Sequence, residues 1–172
     1  KGPDRAEFEA LAEKLALGDR VIFSGFQDNV ADFFNRTHIY MSTPITEPFG
    51  LSCMEALYFG VPVIFPQVDG QPEVIKDGHC GIGLLPSVTI EEHQRLTGIK
   101  VDFPHDVYDP LSDTLVMPKL LSHIECADAV EKLIVPETYQ SMSQNAQRYP
   151  VEHFSYAMFK TEFDDALKSF TA

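Results

Sequence analysis

Between Thr37 and Leu85 short apolar runs alternate with helical stretches: "HIYMS", then "FGLSCMEALYF", "VPVIFP", the turn "QPEVIKDG" and the run "CGIGLL". Short apolar runs punctuated by Gly and Pro read as buried strands. A helix between two such strands leaves one economical solution, βαβ units with right-handed crossovers and a parallel sheet. Upstream, "RVIFSG" reads as a further buried strand ended by Gly25, and "NVADFFNR" as a short amphipathic helix. From Pro3 to Leu17 the residues Phe8, Leu11, Ala12 and Leu15 recur at helical spacing, with Asp4 as N-cap and Gly18 as the stop. The sequence opens on a Gly2-Pro3 turn and enters that helix with no strand ahead of it, which reads as a piece of a longer protein.

The alternation then ends. Residues 87–123 show no sustained period of either kind and contain Pro104, Pro110 and Pro118, so they read as an insertion within a single domain spanning 1–172. Three helices are expected after it, "ECADAVEKLI", "PETYQSMSQNAQRY" and "VEHFSYAMFKTEFDDALKSF". The last places Phe154, Met158, Phe163, Ala166 and Leu167 on a loosely shared face, as packing across the domain edge requires.

Charge narrows the function. The chain has 172 residues and a net charge of −13, with no cluster of Lys and Arg to offset it, so it repels nucleic acid and no nucleic-acid partner is expected. Cys53, Cys80 and Cys126 are scattered, which fits reduced thiols better than a disulfide framework or a zinc site. No apolar run is long enough to span a bilayer. His79, His105 and His123 lack the spacing of a metal site or a nucleophilic relay. Asp102, Asp106, Asp109 and Asp113 lack the EF-hand pattern and read as solvated loop charges. No G-x-G-x-x-G follows any strand, which argues against hydride transfer on a dinucleotide.

The stretch "TPITEPFGLSCMEALYFGVPVIFP", Thr43 to Pro66, holds the residues suited to binding. In an open parallel sheet, ligands collect beyond the carboxyl ends of the strands, where the following helices begin. The loop Thr43–Phe49 leads to a helix starting near Gly50, where a missing Cβ would let a ligand approach the backbone. The first N–H groups of that helix, at Gly50, Leu51 and Ser52, and the helix dipole offer a seat for a pyrophosphate. Glu47 can accept hydrogen bonds from sugar hydroxyls, and Glu55, about one turn inside, can take a vicinal diol with its two oxygens. Taken without their surroundings, Glu47 could equally complement the dipole and Glu55 sit on a solvated face, and Glu73 reads as a helix-start residue.

With its surroundings the stretch resembles a known family. "EPFGLSCME" matches the E-x7-E pattern of retaining GT-B glycosyltransferases (glycosyltransferase family four). "GPDRAEFEALAEKLALGDRVIFSGF", "ADFFNRTHIYMSTPITEPFG" and "ALYFGVPVIFPQVDGQPEVIKDGHCGIGLL" resemble the segments around it in that family. The likeness is close from Gly2 to Leu85 and looser through "ADAVEKLI" and the final helix. It implies a Rossmann-like parallel sheet flanked by helices, the C-terminal donor-binding domain of a GT-B fold, here with C-terminal helices and the 87–123 insertion. By the same resemblance the substrate would be an NDP-sugar, UDP- or GDP-linked (GDP-mannose for instance), whose hexose passes to a glycan, lipid or small acceptor, as in polysaccharide biosynthesis. Glu47 would contact the transferred sugar as the catalytic residue; Phe49, Gly50 and Leu51 would meet sugar and diphosphate through their backbone; Glu55 would hold the ribose; and the Gly25-Phe26-Gln27 turn would lie against the nucleobase. The family's diphosphate-neutralising Arg/Lys pair and its acceptor-binding N-terminal Rossmann domain lie ahead of the first residue here, so the fragment alone is expected to be inactive. The resemblance further implies no metal or other cofactor and a cytoplasmic enzyme, with any contact to a membrane surface made through the missing half. Rival readings are another GT-B enzyme, such as a nucleotide-sugar epimerase or a phosphorylase, and a non-catalytic α/β interaction module.

Overall fold

The computed structural model describes residues 2–100 and 103–170, so Asp102 of the acidic group lies outside the described residues. The chain forms two compact units, one running to Arg36 and the other from Thr37 onward. In the first, α1 (Arg5–Lys14) is followed by a single 3-10 turn, Gly18–Arg20, and by α2 (Val30–Phe34). Helix α1 breaks before Gly18, at Ala16, whose φ of 51° no helix can continue. Asn29 caps α2 by accepting the Asp32 N–H at 3.1 Å. The guanidinium of Arg5 lies over the Phe23 ring, 5.7 Å from its centroid.

The second unit carries a three-stranded parallel sheet in the order β1-β2-β3. Its strands are β1 (Tyr40–Met41), β2 (Val63–Pro66) and β3 (Gly81–Leu84), with Val63 opposite both Tyr40 and Gly81. Helix α3 (Leu51–Tyr58) crosses from β1 to β2, and the short α4 (Gln71–Val74) lies between β2 and β3. After β3 come α5 (Ile90–Thr97) and an antiparallel hairpin of β4 (Val107–Asp109) and β5 (Thr114–Val116). Three helices close the chain: α6 (His123–Leu133), α7 (Pro136–His153) and α8 (Tyr156–Ser169).

The central strand anchors the core: all four residues of β2 are buried. Ile64 packs with Ala129 and Leu133 of α6, joined by Ile39, Ile82, Leu84, Val130 and Met142. Val63 and Phe65 project to the opposite face by strand alternation and are fully buried, so both faces of the sheet are covered. Gly81 lets β3 come close to β2, since a Cβ there would lie 2.3 Å from the Val63 carbonyl oxygen.

The parallel α/β sheet agrees with the sequence reading; four local expectations do not. Val21–Gly25 is extended at its start but forms no strand, because it has no pairing partner among the described residues, and Ile22 is 82% exposed. The 87–123 segment is not structureless: Thr89 caps α5 by accepting the Glu92 N–H, and the β4–β5 hairpin follows. The two final helices divide at Phe154–Ser155, not before Val151, since α7 runs through Pro150 and Ser155 caps α8 by accepting the Met158 N–H. Helix α8 buries none of its residues, and Phe159, Phe163 and Leu167 are all more than half exposed.

Candidate functional site

The site is built where β1 hands over to α3. Strand β1 ends as Ser42 donates its N–H to the Ile64 carbonyl, and the chain then leaves the sheet through Thr43–Phe49. Gly50 stops the loop with a φ of 88°, a left-handed conformation that favours glycine, and α3 starts at the next residue. Gly50 is buried, and a Cβ there would meet Gln71 and Cys53, so its missing side chain faces the protein's own packing.

Glu47 is half-buried and folds back on the helix start. Its Oε1 accepts the N–H of Gly50 at 2.9 Å and that of Phe49 at 3.3 Å. Two of the amides expected to face a diphosphate are thus occupied by this carboxylate. The N–H groups of Leu51 and Ser52 make no hydrogen bond among the described residues, since the first intrahelical bonds are those from Cys53 and Met54 to the Gly50 carbonyl. The Glu47 Oε2 is likewise unbonded there. Phe49 sets its ring edge-on to Phe154, with centroids 6.3 Å apart. Leu51 and Glu55 are exposed on α3, and among the described residues no hydrogen bond or ion pair engages the Glu55 carboxylate. Gly25, Phe26 and Gln27 belong to the other unit, where Gly25 has a φ of 66°, Phe26 is exposed and Gln27 donates to the Ser24 carbonyl at 2.7 Å.

Beneath the helix start lies a polar floor that the sequence reading missed. Gln71 is fully buried, its Nε2 near Ser42 Oγ at 3.4 Å and Cys53 Sγ at 3.6 Å, while its Oε1 has no donor. Burial pushes the Cys53 thiol above its ordinary range; the nearby Glu47 charge adds to this, and hydrogen bonding with Ser42 and Ser52 works against it. Asp69 accepts hydrogen bonds from Thr46 Oγ1, the Glu47 N–H and the Tyr108 N–H. Its sequence context, an Asp-Gly pair shortly after the central strand, marks a turn at the carboxyl end of the sheet but does not reveal these partners.

Of the acidic residues of the insertion, Asp109 and Asp113 are hydrogen-bonded and not merely solvated charges. Asp109 accepts from the Leu111 N–H and the Ser112 hydroxyl, which hold its carboxyl below the usual range, and Asp113 accepts the Tyr108 hydroxyl at 2.8 Å. Phe103 sets its ring against His93 of α5. Among the described residues no three His, Cys, Asp or Glu side chains gather as a metal ion would require, and no helix is long and apolar enough to cross a membrane.

Comparison with known proteins places this geometry. Residues 1–95 match the family model of the glycosyl transferases group 1. N-acetyl-alpha-D-glucosaminyl L-malate synthase of Bacillus anthracis is 40% identical over 80 residues, covering 46% of this chain and 21% of that protein. The chain therefore spans about a fifth of the length of that relative. Among solved structures, sucrose-phosphate synthase of Thermosynechococcus elongatus superposes with a TM-score of 0.67 at 21% identity, over 99% of this chain and 35% of that one. HepE of Anabaena, in complex with UDP and glucose, gives a TM-score of 0.63 at 19% identity, over 95% of this chain and 36% of that one. The matched stretch covers the whole run from α1 through β3 and the loop that carries Glu47, and the chain belongs to the glycosyl transferases group 1 family, with the fold of a GT-B C-terminal domain.

Proposed function

We propose that this chain is the nucleotide-sugar-binding half of a retaining hexosyltransferase, taking a UDP- or GDP-linked hexose as donor. The observation that carries the reading is the state of Glu47: one carboxylate oxygen is fixed on the Phe49 and Gly50 amides, and the other is unbonded. A carboxylate held by one oxygen is oriented without being consumed, so its second oxygen can accept from a sugar hydroxyl. The unbonded N–H groups of Leu51 and Ser52, at the positive end of the α3 dipole, would receive the diphosphate. Glu55, one turn further along, would take the ribose diol. No cofactor or metal enters this scheme. Glu47 would stabilise and orient the sugar while the departing diphosphate helps to deprotonate the acceptor. That chemistry needs an acceptor-binding half that the sequence does not include, and the isolated chain is expected to bind donor weakly and turn none over. A helix terminus contributes only about 0.3–1 kcal/mol per charge contact, too little to hold a dianion firmly.

The test uses the full-length protein containing this segment, with UDP-glucose, UDP-N-acetylglucosamine, UDP-galactose and GDP-mannose as donors. Glu55→Ala should weaken the preferred donor roughly 10- to 100-fold, the loss expected for charged hydrogen bonds. Glu47→Ala should abolish transfer while the free nucleotide still binds. Donor affinity indifferent to Glu55→Ala would instead favour the interaction-module reading.

A further inference from the structure

Asp69 follows β2 with its backbone in the left-handed region, φ 46°. Its carboxylate serves two loops at once. On one side Oδ2 accepts the Glu47 N–H at 2.8 Å and the Thr46 hydroxyl; on the other Oδ1 accepts the Tyr108 N–H at 3.0 Å. Its own N–H donates to the Tyr108 carbonyl at 2.9 Å, which ties the two backbones together a second time. The next residue brings the Glu47 loop closer still: a Cβ on Gly70 would lie 2.0 Å from the Pro48 carbonyl oxygen. The hairpin on the far side is braced internally, by the Tyr108 hydroxyl on Asp113 and by the Leu111 N–H and Ser112 hydroxyl on Asp109. A braced hairpin can hold a loop in place.

We infer that Asp69 is a positioning residue. It clamps the β4–β5 hairpin of the 87–123 segment to the loop that carries Glu47, so that the hairpin sets where the unbonded Glu47 oxygen meets the sugar. This rests on the reading of Glu47 as the sugar contact. Asp69 itself touches no substrate. A carboxylate is suited to the task because it has two acceptor oxygens, one for each loop, whereas an amide has only one.

The experiment measures, on the full-length protein, the affinity for the tightest-binding of the four sugar nucleotides named above and for its bare nucleoside diphosphate. Asp69→Asn keeps the side-chain size and tolerates the positive φ. It is expected to weaken the sugar nucleotide about tenfold while leaving the bare diphosphate within about twofold, because only the sugar is read through Glu47. Glu47→Gln should weaken the sugar nucleotide too, and adding Asp69→Asn to it should cost no more than about a further twofold, as residues acting in series are not additive. Thr46→Val removes a single bond of the clamp and should give a smaller loss of the same selectivity, which keeps the test open if Asp69→Asn does not fold. Additive losses in the double variant, or equal losses for sugar nucleotide and bare diphosphate, overturn the positioning role and leave the Glu47 reading intact. No loss with Glu47→Gln, or no binding of any of the four donors, overturns both.

Discussion

On the proposed reading Glu47 has two duties near one helix start, and the choice of substitution separates them. Ala at position 47 removes the acceptor for the Phe49 and Gly50 amides and should cost roughly 0.5–1.5 kcal/mol of stability, the usual net worth of a hydrogen bond, in addition to its proposed effect on the sugar. Gln keeps an acceptor oxygen and should lie closer to wild type in a urea titration. Gly70 is a second decisive position. Its φ of −86° is open to any residue, so a substitution there tests space and not backbone strain. Gly70→Ala drives a methyl group into the Pro48 carbonyl and should destabilise the fold by about 1–3 kcal/mol, as overpacking does. An unchanged urea midpoint would mean that the Pro48 loop yields freely. Glu47, Phe49, Gly50, Leu51 and Glu55 were legible because they lie within one short stretch. Asp69 was not, since its partners lie 22 and 39 residues away in sequence and only the fold brings them near.

Among the elements, most with an apolar run or period were read correctly, Val21–Gly25 being an exception, and α5 and the β4–β5 hairpin, which lack one, were missed. Strand β2 is buried throughout, and a run of Val, Ile and Phe between prolines leaves little choice there. Helix α5 is mostly polar, "IEEHQRLT", and a search for apolar spacing passes over it. Its signals are at its ends, in the Thr89–Glu92 cap and in Gly98, whose φ of 74° closes it. The division between α7 and α8 was misread for a related reason. Pro150 suggests a break, yet the end is set by Phe154, at φ −127° and ψ 30°, and by the Ser155 cap. Helix α8 rests on that cap and on few buried contacts, with Phe159 and Phe163 stacked on one another at 5.8 Å. Amide hydrogen exchange should therefore be faster along α8 than along α3, whose Cys53, Ala56 and Leu57 are fully buried. Ser155→Ala should widen the gap by about fivefold at the first turn of α8, in keeping with a cap worth about 1 kcal/mol.

For the molecule as a whole, buried acids fix the response to alkali. Burial raises the thiols of Cys53, Cys80 and Cys126 and the Tyr149 hydroxyl above their ordinary ranges. A group with a raised folded-state pKa contributes stability that is complete below its unfolded value and is lost as pH climbs through the folded one. Urea midpoints should hold steady near pH 7 and begin to fall above about pH 8.5 as the thiols ionise in the unfolded chain, with Tyr149 adding above about pH 10, and a flat profile above about pH 8.5 would count against these environments. The parallel arrangement of β1, α3, β2 and β3 was foreseeable from alternation alone, but nothing in a single sequence shows that an apolar helix face is solvent-exposed. That face has a colloidal consequence. Phe159, Phe163 and Leu167 are more than half exposed on a chain carrying −13, so mutual repulsion between copies should oppose their association in dilute buffer. Added salt shortens the reach of that repulsion, and acidification toward the isoelectric point near 4.7 removes it; either should bring on reversible clouding that substituting Phe163 with a lysine suppresses.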